Sequence, residues 1–154
     1  MKTIITTLLA LLLCTTATAQ KADVLYQEGK ALYDAKDYSK AFPKLKAAAE
    51  KGHKKAQYRL GRCYDKGRGT AESNEQAFQW YSKSADQGYG KAQLQLGKCY
   101  LKGKGVAADQ EKARQWLSRA VKNPKSGKEL LDKLRKGAEQ GDEGDKKILK
   151  LIGK

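Results

Sequence analysis

Apolar residues recur at helical spacing in two consecutive stretches of the chain. In the first stretch they lie at positions i, i+4, i+7 and i+8, and in the second at i, i+3, i+4, i+7 and i+8. Small or apolar side chains fill nearly all of these positions: Ala56, Leu60, Cys63 and Tyr64, then Ala77, Trp80, Tyr81, Ser84 and Ala85. A period near 3.6 residues places each set on one face of an α-helix. The pattern therefore predicts a pair of helices, each with one buried face.

The segment between the two predicted helices carries turn and cap residues. Gly67 and Gly69 can adopt the positive φ that ends a helix. Ser73, followed by Gln76, resembles a capping box at the start of the second helix, and Asp109 is the predicted N-cap at the matching point later in the chain. These residues predict a helix–turn–helix unit.

The whole unit occurs twice. A shift of 36 residues aligns residues 52–87 with residues 88–123 and gives 17 identities in 36 positions. A fixed period of this length is typical of a solenoid of stacked units. Gly61 and Gly97 fall in the middle of the first helix of each unit, where glycine costs about 1 kcal/mol relative to alanine. We therefore expect close helix packing at both glycines.

Flanking segments extend the array on both sides. Residues 25–52 fit the same helix pair with a shorter turn, and residues 124–154 give two further helical stretches without the full pattern. We predict an all-α solenoid of three units, at about residues 22–52, 53–87 and 88–123. Residues 124–154 are predicted to form a degenerate helical cap over the last apolar face.

The N-terminal residues have the pattern of a secretory signal peptide. Lys2 precedes the apolar run at residues 8–13, and Ala17-Thr18-Ala19 matches a small-residue cleavage site. We predict removal of residues 1–19, with cleavage after Ala19 and a secreted or periplasmic product. The apolar run is far shorter than the roughly 20 residues that a membrane-spanning helix needs, so no transmembrane segment is predicted.

The units resemble Sel-1-like repeats, a subclass of the tetratricopeptide superfamily. The third unit carries the resemblance most fully, with Ala92, Leu96-Gly97, Tyr100, Gly-x-Gly-Val at 103–106, Asp109, Ala113 and Trp116. The second unit has Thr70 and Ser73 in place of the valine and aspartate, and the first lacks the Gly-x-Gly turn. The resemblance implies a right-handed α/α superhelix whose first helices line a concave surface. It also implies a non-enzymatic adaptor that binds proteins or peptides.

Charge adds a feature that packing does not require. The formal net charge is +15, and loss of Lys2 with the signal peptide leaves about +14, which favours anionic partners. Eight positions at i, i+4, i+7 and i+11 on the first helices of the second and third units form what we call the basic row. Seven of the eight are basic: Lys55, Arg59, Arg62, Lys66, Lys91, Lys98 and Lys102, with Gln95 as the exception. Like charges four residues apart oppose helix stability, so a merely solvated face has no need of this arrangement.

By the resemblance, the basic row faces the concave groove. We predict that it binds an acidic peptide or protein, with Arg62 and Lys98 at its centre. The equivalent positions of the first unit hold Asp23, Gln27, Lys30 and Asp34, so the basic row fades toward the N-terminus. A high lysine content without a specific role, and binding to an anionic envelope polymer or membrane surface, stay open as alternatives. Nucleic acid is not a predicted partner, because the signal peptide directs the chain to export.

No residue pattern indicates catalysis, a metal site or a cofactor. The Gly-x-Gly turns lack the preceding strand and third glycine of a dinucleotide site. His53, the only histidine, is predicted to be a solvated turn residue, and Trp80 and Trp116 are predicted to pack. Cys63 and Cys99 are predicted to be buried free thiols, with an intramolecular disulfide as the alternative. A hydrolase is therefore the least favoured function.

Overall fold

The computed structural model describes residues 2–154, and it describes side chains from residue 16 onward. This part of the chain forms eight α-helices and no strand: α1 Lys2–Asp34, α2 Tyr38–Glu50, α3 Lys54–Lys66, α4 Asn74–Asp86, α5 Gly90–Lys102, α6 Gln110–Val121, α7 Gly127–Glu139 and α8 Glu143–Leu151. Most of the predicted signal peptide, residues 1–19, lies outside the residues whose side chains are described.

The helices pack in consecutive pairs, and the pairs stack. α1 with α2, α3 with α4, and α5 with α6 form the most extensive contacts, and α2 and α4 then pack against the first helix of the following pair. α7 packs with α8 and contacts α6 less extensively. This is the all-α solenoid that the 36-residue period predicted, with a final helix pair at the predicted cap.

Local sequence determines where each helix starts and stops. Gly67 and Gly103 end α3 and α5 with φ of 59° and 65°, in the left-handed region where a Cβ is unfavourable. The Ser73 hydroxyl and the Asp109 carboxylate accept hydrogen bonds from the backbone N–H groups three residues later, at 3.2 and 2.9 Å. The predicted caps are therefore confirmed, and each one satisfies a backbone donor that the helix itself leaves unpaired.

The two mid-helix glycines mark the closest contacts inside each pair. A Cβ added to Gly61 would lie 2.7 Å from the Tyr81 ring, and one added to Gly97 would lie 2.6 Å from the Leu117 side chain. Real Cβ atoms are not found at such distances from their neighbours. Close packing therefore explains why glycine occupies these helix interiors despite its low helix propensity.

The two tryptophans are packing residues, as predicted. Trp80 packs against the buried cluster that contains Leu45 and Leu60, and Trp116 packs against the cluster that contains Leu96. Each tryptophan lies on the second helix of its pair and is half-buried, so it covers core residues of the neighbouring helices. Their recurrence at a 36-residue spacing therefore reflects the repeated core.

Cys63 and Cys99 are free and buried. Burial raises the pKa of each thiol from its ordinary value of 9.0 to about 11, because the thiolate would lose its hydration. Nearby arginines, with Arg68 the foremost, lower the pKa of Cys63 in part. Both thiols are therefore protonated at neutral pH and are poor nucleophiles.

A pair of amide side chains joins each unit to the next, a feature that the sequence analysis missed. Gln57 donates to the carbonyl of Ala49 at 3.2 Å, and Gln87 donates to the carbonyl of Gly52 at 3.0 Å and to Gln57 Oε1 at 2.7 Å. The next junction repeats the network with Gln93, Asn123 and the carbonyls of Ala85 and Gly88. Gln57 and Gln93 are buried, so these hydrogen bonds satisfy side-chain amide groups that would otherwise lose their hydration at a cost in free energy.

The prediction that His53 is a solvated turn residue is wrong. Its Nδ1 accepts a hydrogen bond from the Ala56 N–H at 3.1 Å and so caps α3, while its Nε2 lies 2.9 Å from Asp23 Oδ1. The ring stacks on Tyr26 with 4.3 Å between centroids, and the side chain is only 14% exposed. Its position in a turn suggested solvent, but packing of α1 against α3 brings Asp23 and Tyr26 onto the ring.

Candidate functional site

The basic row of α3 lies opposite the buried face of that helix. Ala56, Leu60 and Cys63 are fully buried, and the spacing of the row directs its side chains away from them. Lys55 and Lys66, at the two ends, are exposed, whereas the arginines between them are half-buried. The structure therefore places the α3 part of the row along one accessible strip, with its centre partly covered by α1.

Arg59 is held within the protein rather than presented to a partner. Its Nη1 lies 3.1 Å from Asp34 Oδ1, its guanidinium carbon lies 5.1 Å from the centroid of the Tyr33 ring, and its side chain is 17% exposed. Lys30 first, and then Arg59, lowers the pKa of the Asp34 carboxyl. This arginine therefore connects the first helices of two successive units.

Arg62 lies in a cluster of three guanidinium groups around Tyr33. The guanidinium carbons of Arg59, Arg62 and Arg68 lie 5.1, 5.8 and 5.3 Å from the centroid of that ring. Arg68 also donates a hydrogen bond to the Tyr33 hydroxyl. Arg62 forms no ion pair with a carboxylate anywhere in residues 16–154, so its charge is available for an added anion.

Arg68 is a member of this cluster that the sequence analysis missed. It lies in the turn after α3, between Gly67 and Gly69, and not on the helical spacing of the basic row. Its guanidinium carbon also lies 5.0 Å from the centroid of the Tyr38 ring. The sequence did contain a signal for this role: the turn has a basic residue in both units, Arg68 in one and Lys104 in the next.

The cap covers part of the basic row on α5. Lys91 Nζ lies 3.9 Å from Glu129 Oε1 of α7, and Lys98 Nζ lies 3.6 Å from Asp145 Oδ1 of α8. The Lys98 and Asp145 side chains are 32% and 16% exposed, so solvent screens this pair only partly. Lys98, predicted to be central to partner binding, is therefore neutralised by the cap, while Lys102 is exposed.

A small basic depression lies between the C-terminal ends of α3 and α5. It has a volume of about 140 Å³, and its lining includes Lys66, Lys98, Lys102, Lys104 and Asp65. Lys104 Nζ lies 2.5 Å from Asp65 Oδ1. Burial alone would raise the pKa of the Asp65 carboxyl, but the hydrogen bond and charge of Lys104, helped by Lys66, lower it. One carboxylate in the lining therefore faces four ammonium groups, of which Lys98 is also paired with Asp145.

The seven predicted binding residues fall into two groups. Four form ion pairs within the protein: Arg59 with Asp34, Lys66 with Asp65, Lys91 with Glu129 and Lys98 with Asp145. Within the described part of the chain, the other three have no carboxylate within ion-pair distance: Lys55, Arg62 and Lys102. The accessible positive charge is thus concentrated on α3 and at the end of α5.

The arrangement suits anion binding, and it offers little for other chemistry. Among the described residues, no group of three or more histidine, cysteine, aspartate or glutamate side chains is placed to hold a metal ion. The described residues also include no helix with the length and apolar content needed to cross a bilayer. Arginine can bind a carboxylate through two parallel hydrogen bonds, whereas lysine contributes a point charge.

Comparison with protein-family models decides the class of the repeat. Residues 54–89 and residues 90–124 each match the model of the Sel1 repeat. The chain therefore carries two Sel1 repeats. These Sel1 repeats begin one and two residues after the unit boundaries predicted from the sequence and coincide with the starts of α3 and α5.

Solved structures with Sel1-type folds resemble this chain. A Sel1 repeat protein from Oxalobacter formigenes is 38% identical, with a TM-score of 0.55 over 56% of this chain and 25% of that one. A protective antigen of uropathogenic Escherichia coli with an SLR fold is 26% identical, with a TM-score of 0.64 over 85% of this chain and 30% of that one. Helicobacter pylori cysteine rich protein B is 27% identical, with a TM-score of 0.53 over 55% of this chain and 64% of that one.

The matched part of these proteins is limited. The chain spans between a quarter and just under two thirds of the lengths of these three structures. A comparison with curated protein sequences found no significant match. Sel1 repeats generally mediate protein–protein interactions and act as non-enzymatic scaffolds.

Proposed function

We propose that the protein is a secreted or periplasmic, non-enzymatic adaptor whose basic row binds an acidic segment of another protein. The observation that carries the proposal is the position of Arg62. It lies half-buried among three guanidinium groups around Tyr33, and it has no ion-pair partner in the described chain. A carboxylate of a partner would relieve the repulsion within this cluster and would engage the planar fork of Arg62.

The length of the row fits a short extended segment. Lys55 and Lys66 are eleven residues apart on one helix, which corresponds to about 16 Å at a rise of 1.5 Å per residue. An extended peptide advances about 3.3 Å per residue, so about five residues cover this distance. Lys102 and the depression between α3 and α5 would then hold the far end of the same segment.

Location outside the cytoplasm is part of the proposal. It rests on the signal-peptide pattern of residues 1–19 and on the predicted cleavage after Ala19. An acidic surface of a secreted or envelope protein is the partner that this location favours.

The proposal is tested with a fluorescent glutamate-rich peptide and two matched charge-reversal variants. Arg62→Glu/Lys102→Glu changes two residues of the row that form no ion pair within residues 16–154. Lys46→Glu/Lys83→Glu makes the same change of net charge on exposed residues of the second helices α2 and α4. We expect loss of binding only in the first variant, measured by fluorescence anisotropy at low and physiological salt.

Three outcomes would contradict the proposal. Binding of the peptide by Arg62→Glu/Lys102→Glu at wild-type affinity would exclude the row as the site. Equal weakening by both variants would show attraction to overall charge rather than to a site. Equal affinity for dextran sulfate and for the peptide, lost steeply with salt in both cases, would favour the anionic-polymer alternative.

A further inference from the structure

A cavity of about 330 Å³ is lined by residues at the N-terminal ends of α3, α5 and α7. Four lysines contribute to its lining: Lys54, Lys55, Lys91 and Lys125. Glu129 is the carboxylate in the lining. The lysines come from two helices and a loop, so the fold collects them from distant parts of the sequence.

At the junction of the first and second units, side chains of the protein itself occupy the position equivalent to this cavity. There His53 lies 2.9 Å from Asp23, and its ring stacks on Tyr26. In the alignment of the units, the equivalents of His53 and Asp23 are Tyr89 and Lys55. The carboxylate of the first junction is therefore replaced by an ammonium group at the second, where the cavity is found.

The charge of the cavity lining is poorly balanced by the protein. Lys91 lies 3.9 Å from Glu129, whose side chain is 71% exposed, so this ion pair is long and solvated. The other three lysines have no carboxylate within ion-pair distance among residues 16–154. Lys54 and Lys91 are only half-exposed, which keeps their ammonium groups near the cavity. The lining therefore has an excess of three positive charges.

We propose that this cavity binds a phosphoryl group. Several independently placed ammonium groups suit a compact, multiply charged tetrahedral anion, whereas planar carboxylates favour the arginine fork. The cavity volume lies at the lower end of the range for ligand sites, which fits one or two phosphoryl groups rather than a large molecule. The group can belong to a free phosphate compound or to a lipid headgroup.

The cavity shares Lys55 and Lys91 with the basic row, but it can be tested separately from peptide binding. Lys54 and Lys125 line the cavity and are not members of the row. Replacing these two lysines leaves Arg62 and Lys102 unchanged, and the charge reversals at Arg62 and Lys102 leave the cavity unchanged. Failure of one proposal is therefore distinguishable from failure of the other.

The test uses the full chain and sodium pyrophosphate as the probe, with sodium chloride at matched ionic strength as the reference. We expect saturable chemical-shift changes at the amides of Gly88, Gly90 and Lys125, followed by ¹H–¹⁵N NMR. Lys54→Gln/Lys125→Gln should raise the dissociation constant about tenfold, since each solvated charge pair contributes modestly. The matched control, Lys133→Gln/Lys136→Gln on α7, should leave it unchanged.

A second arm distinguishes the source of the phosphoryl group. Phosphatidylcholine vesicles carrying phosphatidic acid are compared with vesicles carrying oleate at the same surface charge. Binding only to phosphatidic acid vesicles, lost in Lys54→Gln/Lys125→Gln, would assign the site to a lipid headgroup. Absence of saturable binding to both probes, equal binding to oleate vesicles, or no effect of the lysine substitutions would overturn the inference.

Discussion

Arg59 of α3 and Asp34 of α1 form an ion pair, with 3.1 Å between Nη1 and Oδ1, that links the first helices of two successive units. The arginine is mostly buried and the aspartate is half-exposed. The guanidinium carbon of Arg59 also lies 5.1 Å from the centroid of the Tyr33 ring. Arg59, which the sequence suggested as a partner-binding residue, therefore stabilises the solenoid.

This pair predicts an unequal effect of substitution at its two ends. Arg59→Ala should lower the free energy of unfolding by about 1–2 kcal/mol, because it removes packing as well as charge. Asp34→Asn should cost no more than about 1 kcal/mol, since solvent screens the exposed carboxylate. Urea unfolding of both single variants and the double variant measures the coupling. Additive effects would show that the ion pair contributes nothing.

The N-cap formed by His53 predicts that asparagine at this position preserves more stability than alanine. His53→Ala removes the acceptor of the Ala56 N–H and the stacking on Tyr26, and should cost about 1–2 kcal/mol of unfolding free energy. His53→Asn restores a cap acceptor without the ring and should recover part of that loss. Thermal denaturation of both variants tests the role. Equal stability of His53→Ala and wild type would contradict it.

The amide hydrogen bonds between units predict that substitution of Gln57 weakens the junction between the first and second units. Gln57→Ala removes the buried hydrogen bond to the carbonyl of Ala49, which still accepts from the Gly52 N–H, and also removes the acceptor of Gln87. It should cost about 1 kcal/mol. Gln79→Ala, on an exposed part of α4, is a matched control of the same chemistry. Hydrogen exchange should show faster opening at the junction of α2 and α3 in Gln57→Ala alone. Unchanged exchange would exclude this role for the amide.

The buried thiols predict a decline of stability at alkaline pH. Their folded-state pKa of about 11 lies above the ordinary value of 9.0, so the folded state favours the protonated thiol. This contribution is complete below pH 9 and is lost as the pH rises toward 11, by up to about 1.4 kcal/mol per pH unit for each thiol. Cys63→Ala/Cys99→Ala should show a shallower decline in urea unfolding across this interval. An identical decline in the variant would contradict the assignment.

Local pattern was sufficient to predict most of the fold. The caps at Ser73 and Asp109, the helix-ending Gly67 and the packing at Gly61 depend on residues within one unit, and the sequence displays one unit completely. The 36-residue period then extends the unit into a solenoid. The helical form of the last two segments also followed from their own periodicity.

The partners of the basic row could not be predicted in the same way. Whether Arg59 meets Asp34, or Lys98 meets Asp145, depends on how far each helix pair rotates relative to the next. That rotation follows from packing across the units and not from the spacing within one helix. The role of His53 was missed for the same reason, because Asp23 lies 30 residues earlier in the chain.

The most direct test of the central claim observes the Arg62 side chain itself. The ¹⁵N-labelled protein is titrated with a glutamate-rich peptide while the side-chain Nε–Hε signal of Arg62 is followed by NMR. The account predicts a saturable shift of this signal, together with amide shifts along α3 and at the end of α5. An unchanged Arg62 signal at peptide saturation, with shifts confined to the second helices, would contradict it.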